Sequence, residues 1–364
     1  MYFGYNDDER ILRNSVHEMF RKHVPISEVR KVIERPAVNK SLQELIGGQG
    51  LLGVLSHNGD AYEGALMAIS ILEEAGRLLL PFPLIEGMIG AYFLSREEAK
   101  ASQHDKVVDG AELLTFAWHT VGRPRLERRN EKLVANGSFF GAPYAASADK
   151  ILAFFDGPAE GQATLLILDR RDPAVSVTAT KGMDVSMPLD RIDIADLAVA
   201  ESDILLGLGN GAVLREEAER LGALFTAAEL VGVSEEAIRV TVEYTKVRKQ
   251  FGQEIAKFQA LKHMAAEMYV LAESSRVAVI YAGWALESGT ELEAVSIAKA
   301  YAADAAIEIT GQAIQMHGGI AFTWESDMHL YFKRARRSAS AFGDSYCHRE
   351  KVLNTLVQRA GESV

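Results

Sequence analysis

In the run Arg248-Lys249-Gln250-Phe251-Gly252-Gln253, a cation, an amide and an aromatic ring stand within a few residues of one another. A dinucleotide pyrophosphate takes paired, charge-assisted hydrogen bonds from a guanidinium, and a fused ring takes a flat apolar partner. The same residues also suit a solvated turn with its phenyl ring plugged into a core. A second run, Gln315-Met316-His317-Gly318-Gly319-Ile320-Ala321-Phe322, carries adjacent glycines. They permit positive φ and close backbone approach, as a phosphate-cradling turn or a simple helix stop requires. A third region, His329 to Ser345, gathers Lys333, Arg334, Arg336 and Arg337. This cluster either balances phosphate charge or forms a solvated helix face.

Other chemistries find little support. The nine histidines show no two-His metal spacing with nearby cysteine or carboxylate, so no metal site is expected. His317 and His329 read as local hydrogen-bonding residues. Gly207-Leu208-Gly209-Asn210-Gly211 resembles a dinucleotide loop in glycine content, but no βαβ unit surrounds it, and it reads as a hinge between domains. The formal net charge of −11 argues against nucleic acid, since duplex binding needs a dense basic surface; an anionic ligand must meet a local basic patch.

Cys347 is the only cysteine, which excludes an intrachain disulfide and suits a reducing compartment, with the cytoplasm the simplest location. The acidic start MYFGYNDDERILRNSV lacks the basic and apolar regions of a signal peptide, and no apolar run is long enough to span a bilayer. Membrane insertion is not expected.

The elements that must position these groups fall into three blocks. Residues 1–108 read as helical, with three- and four-residue apolar spacing from Glu63 to Leu80, Asp60 placed to cap that segment and Pro81 beyond its end. Residues 109–205 turn to short β-favouring runs, Leu113 to Trp118, Ile151 to Phe155, Ala163 to Leu168 and Val175 to Thr178, and read as a small sheet or barrel. Residues 206–364 return to helix. One stripe joins Leu214, Ala218, Leu221, Phe225, Ala228 and Val231, and another joins Leu261, Met264, Ala265, Met268 and Leu271. Helices of roughly 25 to 35 residues with Ala-rich faces favour a four-helix bundle that continues into an oligomer interface.

This α+β order, with the Arg248–Gln253 and Gln315–Phe322 runs, resembles the acyl-CoA dehydrogenase family over the whole chain. Glu73-Glu74-Ala75-Gly76-Arg77 is also similar to that family's Glu-Glu-Leu-Gly-Arg segment. The resemblance implies FAD as cofactor, an acyl-CoA substrate and a separate electron acceptor that reoxidises the flavin. It also implies that Arg248, Gln250, Phe251, Gln315, Gly318 and Gly319 contact the FAD of a neighbouring subunit. Ala321 stands where the family has a third glycine, which narrows the space for the cofactor.

Several positions depart from the family pattern. Counting from Gly319 puts Phe342 at the family's catalytic glutamate, and counting back from Gly252 puts Gly222 at the alternative base position, with Ala223 at the Arg that often follows. Neither can accept the α-proton of an acyl thioester. Asp344, Glu219 and Glu229 remain as substitutes. Asp344 also reads as the cap of a helix starting near Ser345, and the two glutamates also read as polar-face residues of a long helix. Glu219-Arg220-Leu221 resembles the Glu-Arg-Leu of members that carry the base on this helix. The family's flavin-facing loop reads Ala117-Trp118-His119-Thr120-Val121-Gly122-Arg123-Pro124 here, and Gly141 replaces the Trp that usually packs near the isoalloxazine.

Retained outward contacts beside an altered flavin face are similar to one subunit type of bacterial heterotetrameric acyl-CoA dehydrogenases, including those acting on steroid side chains. The implied function is α,β-dehydrogenation of an acyl-CoA, with base and flavin face supplied by an unlike partner. Two alternatives stay open: a self-sufficient homotetramer using Glu219 or Asp344 as base, and a noncatalytic scaffold or acyl-CoA binding protein.

Overall fold

The computed structural model describes residues 4–58, 61–157, 162–289 and 293–362. Among the described residues, six α-helices come first: α1 (Asp7–His23), α2 (Ile26–Glu34), α3 (Lys40–Gly48), α4 (Ala65–Arg77), α5 (Leu84–Ser95) and α6 (Ala101–Val108). A small hairpin, β1 (Ser56–Asn58) and β2 (Ala61–Glu63), interrupts them. Asn6 caps α1 through a reciprocal box with Glu9, the side chain of each accepting from the other's backbone N–H at 2.9 and 2.8 Å. Asp60, the expected cap of the next long segment, lies outside the described residues; α4 begins after Gly64, which has φ 83°.

The middle of the chain is β3 (Leu114–Ala117), β4 (His119–Arg129), β5 (Lys132–Pro143), β6 (Lys150–Asp156), β7 (Ala163–Asp169), β8 (Val175–Ala179), β9 (Leu189–Val199) and β10 (Ile204–Leu205). They form one sheet in the order β10-β7-β6-β4-β5-β9-β8, with β3 pairing parallel to β6. Its core is built by Leu126, Phe139, Phe155, Leu166, Ile192 and Leu197. The four expected apolar runs become β3, β6, β7 and β8, whereas β4, β5 and β9 go unannounced in the sequence. β4 shows why: it is exposed and charged, and Gly122 and Pro124 fall at a register shift between Val121 and Arg125, where a bulge accepts residues that regular strands reject.

Long helices complete the chain: α7 (Gly211–Val247), a short hairpin of β11 (Lys249–Gln250) and β12 (Gln253–Glu254), then α8 (Gln259–Glu287), α9 (Glu293–His317), α10 (Met328–Ser340) and α11 (Ser345–Glu362). At 37 residues α7 exceeds the expected range, and α8 and α9, at 29 and 25, fall within it. α8, α10 and α11 all pack on α9. No helix among the described residues is long and apolar enough to cross a membrane.

Two compact units emerge from the chain's contacts, one made of 1–30, 60–80 and 223–364, the other of 31–59 and 81–222. Within the first, α4 and α7 cross backbone to backbone. A Cβ on Gly76 would lie 2.1 Å from the Glu229 carbonyl oxygen, and one on Gly232 would lie 1.8 Å from that of Glu73. The Glu-Glu-Ala-Gly-Arg segment therefore owes its glycine to this crossing. In the second unit, the glycine-rich run 207–211 joins β10 to α7 and is tied to β7, with the Gly209 N–H donating to Thr164 Oγ1 at 3.1 Å.

Candidate functional site

The Arg248–Gln253 run is the tip of the β11–β12 hairpin between α7 and α8. Phe251 at φ 53° and Gly252 at φ 78° make the turn, and the left-handed conformation of Phe251 throws its ring outward, 91% exposed. Arg248, Lys249 and Gln250 are exposed with it. Behind the tip, the Phe251 ring meets Phe258 edge-on at 6.0 Å. The phenyl ring is not plugged into the core, so the solvated-turn reading fails on that point.

Sixty-odd residues later the Gly-Gly run ends α9 and opens a 3-10 turn, Gly318–Phe322. Gly318 has φ 68°, and added Cβ atoms at Gly318 and Gly319 would meet nothing within 4 Å. Gln315 is exposed, as are Phe322 (76%) and Trp324. Ala321 is fully buried, so its methyl packs inside the chain and does not narrow the outer space.

Tyr244 joins the two runs. Its ring stacks on His317 at 4.3 Å and 22°, and its hydroxyl donates to the His317 carbonyl at 3.3 Å. His317 Nδ1 lies 2.8 Å from the Ala313 carbonyl, which can only accept, so Nδ1 carries the proton. Burial pushes this imidazole below its ordinary pKa, keeping it neutral and suited to stacking. An aromatic at the end of one helix with a histidine before Gly-Gly was the available sequence signal for this pair.

The basic cluster divides. Arg334 is fully buried and donates to Glu229 Oε1 at 3.0 Å and to the Leu79 carbonyl at 3.4 Å. Arg337 donates to both Glu229 oxygens, at 3.3 and 3.2 Å, and the Ser338 hydroxyl donates to Oε2. Glu229 is thus the buried hub of a structural ion network, not a polar-face residue and not a free base. Lys333 stays outside, its ammonium 5.2 Å from the Trp324 ring centroid. His329 corrects its expected hydrogen-bonding role: neither ring nitrogen has a hydrogen-bond partner among the described residues, and the ring packs edge-on to Trp324 at 5.0 Å.

At the position that counting from Gly319 assigns to the base, Phe342 is buried with φ 53°, and its carbonyl accepts from His348 Nε2 at 2.9 Å. Asp344 is exposed and caps α11, accepting from the Cys347 N–H at 2.9 Å. That backbone hydrogen bond holds its carboxyl below the ordinary range, which makes it a weak proton acceptor. Glu219 is half-buried on α7, and Gly222 is buried one turn further on. Gly141 has φ 72° where β5 breaks register between Phe139 and Ala142, a conformation that a Trp in its place would adopt only under strain. Among the described residues no cluster of metal ligands occurs.

Residues 210–357 match the acyl-CoA dehydrogenase C-terminal domain. Acyl-CoA dehydrogenase IpdE2 of Mycolicibacterium smegmatis is 29% identical over 344 residues, covering 93% of this chain and 95% of that one. Among solved structures, the ChsE4-ChsE5 complex of Mycobacterium tuberculosis superposes with a TM-score of 0.88 at 20% identity, covering 98% of this chain and 99% of that one. Butyryl-CoA dehydrogenase from Megasphaera elsdenii gives the same TM-score at 20% identity, covering 98% and 100%. Residues 210–357 thus carry the acyl-CoA dehydrogenase C-terminal domain, and over nearly its whole length the chain is similar to proteins named acyl-CoA dehydrogenase and shares their fold.

Proposed function

We propose that this chain is a subunit of a cytoplasmic heteromeric acyl-CoA dehydrogenase, in which an unlike, homologous partner supplies the base and the face on which flavin lies. What carries this reading is the outward throw of Phe251 at a left-handed turn, beside exposed Arg248 and Gln250. An aromatic ring so exposed beside a guanidinium, with Gln315 and the open Gly318-Gly319 turn, suits the pyrophosphate and adenine of an FAD held by another chain. Bound flavin would supply the hydride acceptor for α,β-dehydrogenation, and a separate electron acceptor would reoxidise it.

This chain's own residues would bind and orient that cofactor. Arg248 would pair the pyrophosphate charge, Phe251 would cover a ring face, and Gly318 and Gly319 would let phosphate oxygens approach the backbone. The α-proton would pass to a carboxylate of the partner, because Phe342 and Gly222 cannot take it, Glu229 is committed to two arginines, and Asp344 is committed to its helix. In this reading residues 206–364 form the flavin-contact and assembly domain, preceded by domains 1–108 and 109–205. The relatedness to an acyl-CoA dehydrogenase, and the fold shared with a chain of the ChsE4-ChsE5 complex and with the Tcur3481-Tcur3483 steroid ACAD, fit a heteromeric enzyme acting on a bulky acyl-CoA such as a steroid side chain.

The test is flavin absorbance and native mass of the protein purified alone and after co-expression with an unlike acyl-CoA dehydrogenase chain. Flavin retained only in the mixed complex is expected. Flavin at about one per chain in the protein alone would overturn the accessory role and direct the search for a base to Glu219.

A further inference from the structure

A second ion network, centred on α1 and α4, uses none of the residues of the flavin-contact runs. It occupies one unit, where α1 rests on α4 beside a cavity of about 730 Å³. From α4, Arg77 donates to Glu235 of α7 at 2.9 Å. From α1, Arg13 reaches Glu74 Oε1 at 2.7 Å, Glu235 Oε2 at 2.9 Å and Glu73 Oε2 at 3.1 Å. His17 Nδ1 lies 2.7 Å from Glu74 Oε2. On α8, Arg276 pairs with Glu273, and at the cavity's edge Arg10 pairs with Asp7 at 3.5 Å.

These pairs leave an imbalance. Arg13, Arg77 and Arg276 are matched by Glu74, Glu235 and Glu273, and Glu73 is one carboxyl more. Glu73 is fully buried beside the Tyr5 hydroxyl, and the cation it pairs with, Arg13, is shared with two other carboxylates. Tyr5, also buried, sits under the Arg13 guanidinium at 5.2 Å. On the α7 side nothing can yield, because the Glu73 carbonyl presses on Gly232. On the α1 side the cavity gives room for water.

We propose that Glu73 is the proton-operated catch of α1: while its carboxyl is neutral α1 stays docked on α4, and once it is ionised α1 releases and water enters the cavity. Burial, outweighing the attraction of Arg13 and reinforced by Glu235, pushes the Glu73 carboxyl up to about 8. In the released state water returns it to an ordinary value of about 4.3. Between those values the docked state holds one proton more than the released state, so docking weakens as pH rises, about tenfold per pH unit, and levels off above about pH 8.

Hydrogen exchange of the full chain, corrected for intrinsic rates and referenced to the sheet, tests this. Protection of Asp7–His23 is expected to fall about tenfold per unit from pH 5.5 to 8 and then flatten, and Glu73→Gln is expected to abolish the slope. A flat wild-type profile, or an unchanged slope in Glu73→Gln, overturns the proposal. Should that variant fail to fold, carboxyl carbon resonances of wild-type protein labelled at glutamate decide. One midpoint near pH 8 supports the catch, and all midpoints below about 5 overturn it.

Discussion

The hairpin tip at 248–252 and the turn at 341–348 belong to the same unit, and they treat their polar groups in opposite ways. At the tip, Arg248 and Gln250 project into solvent and the Phe251 ring is offered outward from a left-handed residue. At the turn, Phe342 is buried, its carbonyl is held by His348, and Asp344 is spent on capping α11. Just behind that turn, Glu229 gathers Arg334, Arg337 and Ser338, and the fully buried Lys299 donates to the Ser338 carbonyl at 2.6 Å. One region leaves its polar groups and its ring open to solvent, and the other turns them inward against partners of its own chain.

If the inward region is structural, Glu229→Ala should cost the most, about 3–5 kcal/mol, because Arg334 would remain buried without its carboxylate. Chemical denaturation measures this, and a loss below about 1 kcal/mol would show that the network is not the staple described. At the outward region the balance reverses. Arg248→Ala and Phe251→Ala should each leave folding stability within about 0.5 kcal/mol, while weakening flavin retention in the mixed complex tenfold or more, about 1.4 kcal/mol. A complex that holds flavin equally well after both changes breaks the comparison.

Proton linkage sharpens it. Burial pushes the Lys299 amine down to about 7, whereas an unfolded lysine titrates near 10.4. Between those values the unfolded chain binds one proton more, so Lys299 should make stability rise with pH by up to about 1.4 kcal/mol per unit, levelling above about pH 10.4. Lys299→Met should remove this contribution in denaturation measured from pH 7 to 10. The smallest effects belong to Asp344: replacement by Ala should cost about 1 kcal/mol as a lost cap, whereas Asp344→Asn should keep the cap and leave turnover of the complex intact. A large loss of turnover in Asp344→Asn at unchanged stability would restore it as the base.

Much of the outward region was legible in the sequence because its signals are local. Arg-Lys-Gln-Phe-Gly between helical stripes marks a tight turn with one glycine, and Gly-Gly after an apolar-periodic run marks a helix end. The four apolar strands announced themselves in the same way. β4, β5 and β9 did not, since their pairing rests on partners remote in sequence and on bulges that absorb Gly122, Pro124 and Gly141. Ala321 misled for a related reason: residue type shows that a methyl replaces a hydrogen, and only packing shows that the methyl faces inward.

By itself the sequence determined the order of helical and sheet segments, the places of the two turns and the absence of a carboxylate at Phe342 and Gly222, because these follow from local periodicity and residue chemistry. Tertiary structure alone decided which charges are available. Glu229 and Arg334 could each be read as polar-face residues and Glu73 as part of a family-like segment, but tertiary packing removes all three from water. An ionisable group's function depends on its solvation and its partners, and both are set by residues far away along the chain.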